Sequence, residues 1–114
     1  MSIIQTSMAR HATLGEFEHL VLLAVLRHAG GVLGSHIGRE LEARANRRVS
    51  RGALYATLDR LHQKGFLTWE IEPTGPDRGG HPRRVFTITR AGRAAVRQYG
   101  RAVRSLSAGI EDLL

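Results

Sequence analysis

The chain has 114 residues, enough for one domain with a modest core that a second copy would complete. Its formal charge of +7, from 17 basic and 10 acidic residues, points to an anionic partner. The absence of cysteine excludes a disulfide framework and a thiolate metal site.

Residues 1–12 show no period and read as a loose tail. At Thr13 the stretch "TLGE" places Thr at a helix N-cap and Glu16 three residues later, the spacing of a capping box. Phe17, Leu20, Val21, Ala24 and Val25 then follow one helical stripe, while Leu22, Leu23 and Leu26 cover much of the remaining circumference. A helix apolar on more than one side packs against more than one neighbour, and a second subunit is one candidate. "HAGG" at His28 to Gly31 ends it.

A second helix is predicted from Ser35 to Ala45, with Ile37 and Leu41 facing inward. Ser50 is a natural N-cap for a third, Arg51 to Lys64, whose Leu54, Leu58 and Leu61 form a narrow buried stripe; Gly65 stands at its C-terminal cap. "FLTWEIE" and "RVFTIT" then switch to period 2, predicting two strands of a hairpin around the loop "TGPDRGGHPRR".

From an N-cap at Thr89 a last helix is predicted to the C-terminus. Gly92, Val96, Tyr99, Val103, Leu106, Ile110 and Leu113 recur at alternating intervals of four and three, the spacing of a coiled-coil seam. Its glycines cost about 1 kcal/mol each against alanine, so packing must stabilise it. Tyr99, Val103, Leu106, Ile110 and Leu113, with Val96, are therefore assigned to a dimer interface together with Phe17, Leu22 and Leu26 of the first helix.

Three helices followed by a hairpin with a basic loop is the order of a winged helix-turn-helix, a mainly α (α+β) fold. The expected organisation is a tail over 1–12, a DNA-binding domain over 13–89 and a dimerisation helix over 90–114. With Leu54, Leu58 and Leu61 buried, the third helix presents Gly52, Ala56, Asp59 and Gln63 on its opposite face, with Tyr55 and Arg60 on the flanks. Small residues at Gly52 and Ala56 let the helix axis approach base edges. Ser50 and Arg51 sit at the amino end, where free N–H groups and the helix dipole attract phosphate.

In the hairpin loop, Gly79 and Gly80 permit close backbone approach and positive φ, and Arg78, Arg83 and Arg84 supply charge for a phosphate backbone. Between Arg78 and Arg104 there are eight arginines and no acidic residue. Arg90, Arg93, Arg97, Arg101 and Arg104 share one helix face, which either extends the phosphate track or is a solvated surface.

The segments "SRGALYATLDRLHQKGFL" and "GGHPRRVFTITRAGRAAV" resemble the recognition helix, with its Leu-Tyr pair, and the wing of the PadR-like transcriptional regulators, and the resemblance covers the chain from Leu14 onward. The second helix departs from it: His36 in "LGSHIGREL" stands where an aromatic residue is common. The resemblance implies a homodimeric DNA-binding repressor, dimerised through its first and C-terminal helices, with a small hydrophobic effector held between subunits. Two-fold protein symmetry then requires a palindromic operator in double-stranded DNA.

Other classes are less well supported by the residues. The six histidines form no H-x₃-H pair and no carboxylate cluster joins them, so no metal site or other cofactor is predicted. There is no Walker-type loop, nucleophile elbow or H-E-x-x-H, which argues against an enzyme. "LVLLAVL" is far too short to span a bilayer and the N-terminus lacks a secretory signal, so a soluble, cytoplasmic protein with no membrane partner is expected. The competing expectation is a winged-helix module that docks a protein or RNA.

Overall fold

The structure is a computed structural model that describes residues 13–72 and 82–114. The predicted tail over 1–12 and the loop tip with Arg78, Gly79 and Gly80 lie outside the described residues. The elements run α1 (Glu16–Leu26), β1 (Val32–Leu33), α2 (Gly34–Ala45), α3 (Arg51–Gln63), β2 (Leu67–Glu72), β3 (Arg83–Ile88) and α4 (Arg90–Ser107), closed by a 3₁₀ turn, Glu111–Leu113.

Helix α1 starts at Glu16 rather than at a Thr13 cap. Gly15 is the N-cap, and its N–H donates to Glu18 Oε1 at 2.7 Å, so the reciprocal bond comes from Glu18 instead of Glu16. The carbonyl of Thr13 instead accepts from Lys64 Nζ at 2.8 Å. The two inward-facing residues expected in α2, Ile37 and Leu41, are both buried, and Asn46 closes that helix in the left-handed region at φ 53°.

The core is a layer between the helices and the sheet. Val21, Leu22 and Val25 of α1, Ile37 of α2 and Leu58 and Leu61 of α3 are fully shielded, as is Phe86 of β3. Burying side chains of this size stabilises the fold by about 1.5–3 kcal/mol each before chain entropy is charged against it. Leu22, expected at a subunit interface, is thereby corrected: at 0 % exposure it is consumed by its own domain, and Val96, at 9 %, mostly so. The apolar circumference of α1 is divided between this core and an outward pair, Leu23 and Leu26, each 38 % exposed.

The hairpin is as the alternation predicts. β2 pairs antiparallel with β3, Trp69 opposite Phe86 and Leu67 opposite Ile88, with Leu67, Phe86 and Ile88 buried. A third strand joins it: β1 pairs antiparallel with β3, Val32 opposite Phe86, giving the order β1-β3-β2. Two residues are too few to show a period, so this strand has no signature in the sequence.

Thr89 ties the sheet to α3 and α4. Its N–H donates to the Phe66 carbonyl at 3.0 Å, its hydroxyl donates to the Gly65 carbonyl at 2.7 Å, and the same oxygen accepts from the Gly92 N–H at 3.0 Å. Gly92 must be glycine here, because a Cβ would lie 2.3 Å from the Phe66 carbonyl oxygen. The helix that starts there is shorter than the seam suggested. It ends at Ser107, and Gly109, at φ +86°, turns the chain, so Ile110 and Leu113 lie beyond α4 in an exposed turn.

Candidate nucleic-acid interface

Helix α3 is capped as expected: Ser50 Oγ accepts from the Ala53 N–H at 3.1 Å. Leu54, Thr57, Leu58 and Leu61 face the core, with the Thr57 hydroxyl donating to the Ala53 carbonyl. The opposite face carries Gly52, Ala56, Asp59 and Gln63, all exposed, and Arg51 is exposed at the amino end. The surface over Gly52 and Ala56 is low, and no neighbouring atom comes within 4 Å of a Cβ built on Gly52.

Tyr55 sits on one flank, half-buried, with its ring edge against Phe86 at 6.2 Å between centroids. Its hydroxyl closes over Gly34, at the start of α2, where a Cβ would come within 2.2 Å of it. The ring therefore packs at the edge of the core and holds α3 against α2. The guanidiniums of Arg51 and Arg84 lie over this ring, 5.0 and 5.1 Å from its centroid.

The wing arginines within the described residues are not loose charges. Arg83 Nη2 donates to Glu72 Oε1 at 3.0 Å across the hairpin, and Arg84 Nη1 donates to Asp59 Oδ1 at 2.8 Å. Arg84 also lies 5.0 Å over the Trp69 ring and 5.4 Å over Phe86. Asp59, expected only as a solvated position, thus links the exposed face of α3 to β3. A pair 25 residues apart has no local signature.

Arg60, on the other flank, turns toward α1. Its Nε donates to Glu18 Oε2 at 3.2 Å, while Lys64 Nζ lies 2.9 Å from both oxygens of the same carboxylate. Burial alone would raise the Glu18 pKa, but the Gly15 N–H, Lys64 and Arg60 together outweigh it and hold the carboxyl below its ordinary 4.5. Glu18 fixes the carboxyl-terminal half of α3 on α1. Arg60 thus stays exposed on its flank, with its guanidinium engaged by this cluster.

Between α2, α3 and the wing lies a cleft of about 390 Å³ lined by Leu33, Gly34, Ser35, Arg51, Tyr55, Pro82, Arg83 and Arg84. The amino ends of α2 and α3 both border it, so backbone dipoles add to the Arg51 guanidinium, while Arg83 and Arg84 are paired with Glu72 and Asp59. The cleft lies beside the low face of α3 at Gly52 and Ala56.

Away from this surface, α4 carries the seam residues Tyr99, half-buried, Val103, 51 % exposed, and Leu106, 81 % exposed. Phe17 is half-buried against the core. Leu20, Leu23, Leu26 and Leu41 line an apolar groove between α1 and α2, rimmed by Arg27 and Arg44. Among the described residues no helix is long and apolar enough to cross a membrane.

Residues 22–98 match the transcriptional regulator PadR-like family. The chain is 40 % identical over 89 residues to the transcriptional regulator Rv3488 of Mycobacterium tuberculosis, covering 76 % of this chain and 78 % of that protein. Its fold superimposes on a PadR-like transcription factor from Bacteroides fragilis with a TM-score of 0.72 at 22 % identity, over 97 % of this chain and 98 % of the other. It also superimposes on Bacillus subtilis PadR, solved in complex with operator DNA, with a TM-score of 0.62 at 16 % identity, over 73 % of this chain and 46 % of that one.

Proposed function

This chain belongs to the PadR-like family of transcriptional regulators, and from that premise we propose that it is a homodimeric repressor that inserts α3 into the major groove of a palindromic operator. The observation that carries the reading is the exposed low face at Gly52 and Ala56 with Arg51 at its amino end and the wing arginines beside it. Arg51 contacts phosphate or guanine, Ser50 and the first turn of α3 present N–H groups to phosphate, and Tyr55 backs Arg51. Arg83, with Arg78, Gly79 and Gly80 of the loop, follows the sugar-phosphate backbone next to it. That the Bacillus subtilis relative was solved in complex with operator DNA supports DNA as the partner of this fold.

The second copy covers Leu26, Val103, Leu106, Ile110 and Leu113, with Phe17 and Tyr99 at the margin. These are among the large apolar side chains that the subunit's own core leaves exposed or half-buried. Two α3 helices then reach half-sites about one helical turn apart. A small hydrophobic effector between subunits would act by changing the α1–α4 geometry and so the separation of the two recognition helices.

A fluorescence-anisotropy titration tests the reading, using the duplex upstream of the protein's own gene against a scrambled duplex between roughly 50 and 200 mM salt, where several phosphate contacts change affinity by orders of magnitude. Tight, salt-steep binding with preference for the upstream duplex is the expected result. Binding to RNA or to a protein partner in place of duplex DNA would favour the docking-module alternative.

A further inference from the structure

We propose that Asp59 is a specificity-determining residue, oriented by Arg84, whose carboxylate accepts a hydrogen bond from an exocyclic amino group of a base in the major groove. The inference rests on the DNA-reading function proposed above and concerns the same face of α3.

Four residues share the outward stripe of α3, and three of them, Gly52, Ala56 and Gln63, carry no charge. Asp59 is the exception, an anion on the surface that approaches a polyanion. Left free, it would weaken binding to every sequence alike and report nothing. It is not free to move. Arg84 Nη1 binds Oδ1 at 2.8 Å, and the guanidinium is itself clamped over Trp69, Tyr55 and Phe86 at 5.0, 5.1 and 5.4 Å.

A single-point bond to Oδ1 leaves Oδ2 without a protein donor among the described residues. The side chain is 54 % exposed and that of Arg84 only 25 % exposed, so the arginine is the embedded support and the aspartate the presented group. A fixed carboxylate oxygen accepts only. In the major groove it suits the amino group of cytosine or adenine and is repelled by the carbonyl oxygens of guanine and thymine. Arg84 neutralises most of the penalty of bringing this anion near phosphates, and its stacking keeps the carboxylate in one place when DNA arrives. Arg84 acts through Asp59 and is a positioning residue.

The test is enrichment of bound duplexes from a random-sequence pool, run in parallel with the full-length wild type, Asp59→Ala and Arg84→Gln, each first shown to melt cooperatively. The wild-type pool is expected to converge on a motif with cytosine or adenine at one position of each half-site. The Asp59→Ala pool, with no acceptor left on the side chain, should lose that one preference and keep the others, a change of about tenfold in relative affinity at that position. Arg84→Gln should blur the same position, which a merely structural role would not single out. Asp59→Ala should also bind random duplex more tightly, because one negative charge is gone. A motif in the Asp59→Ala pool identical to that of wild type overturns the role of Asp59 and leaves the DNA-reading function intact. A wild-type pool that converges on no motif overturns both.

Discussion

The imidazole of His19 lies flat against the ring of Tyr99, with centroids 4.0 Å apart and planes inclined by 21°, and this stack joins α1 to α4. Nδ1 of His19 is buried with no hydrogen-bond partner among the described residues, and burial pushes its pKa below the ordinary 6.5. Between the two values the unfolded chain binds more protons at His19 than the folded one. Its contribution to stability is therefore complete above pH 6.5 and is lost as pH falls through the folded value. His19→Phe keeps a ring on Tyr99 and removes the titration. Relative to wild type, the variant should gain melting temperature at about pH 5.5 compared with about pH 8; an equal offset at both would show that His19 titrates normally.

Glu18 gives a second pH dependence at lower pH. Its carboxyl is held below 4.5, so its stabilising contribution is present above that value and disappears as pH falls through the folded one. Glu18→Ala leaves Lys64 with only the Thr13 carbonyl and Arg60 with only the Thr57 hydroxyl as acceptors, and should cost about 2 kcal/mol by urea denaturation near neutral pH, discounted for the exposure of Arg60. A loss under about 0.5 kcal/mol would mean that the cluster is only a surface ion pair.

Gly52 separates stability from function. Alanine there meets no atom within 4 Å and should stabilise α3 by up to about 1 kcal/mol. The same methyl stands on the face proposed to enter the groove, so affinity for the operator should fall. Higher stability with undiminished binding would remove Gly52 from the interface.

Arg51 and Arg83 differ in what they should cost. Arg51→Ala should weaken binding to the operator by about 1–3 kcal/mol and relax preference at one position. Arg83→Ala should weaken binding to all duplexes alike and reduce the salt slope by about one. Anisotropy titrations against operator and scrambled duplex distinguish the two, and equal affinity of both variants with wild type would defeat the assignment.

The proposed dimer depends on Val103 and Leu106, 51 % and 81 % exposed in the single chain. Leu106→Asp places a charge where the second copy must desolvate it, and should shift the protein to monomer in sedimentation equilibrium at micromolar concentration. Melting in dilute solution should change little, since this side chain is 81 % exposed in its own subunit. A dimer that survives the change would place the interface elsewhere.

Much of this protein is determined by sequence alone. The order of the helices, the caps at Ser50 and Thr89, the alternation in β2 and β3 and the buried stripe of α3 are local patterns, because helix and strand periods and capping bonds act over a few residues. The outward face at Gly52 and Ala56 follows from the same period. What only the tertiary structure decided is how these pieces share their surfaces. Leu22 faces the core and Leu23 solvent, β1 joins the sheet, Arg60 belongs to Glu18, and Arg84 belongs to Asp59 and three rings. Each of these depends on elements distant in the chain meeting at one place, and a two-residue strand or a single charge carries no period that would announce its partner.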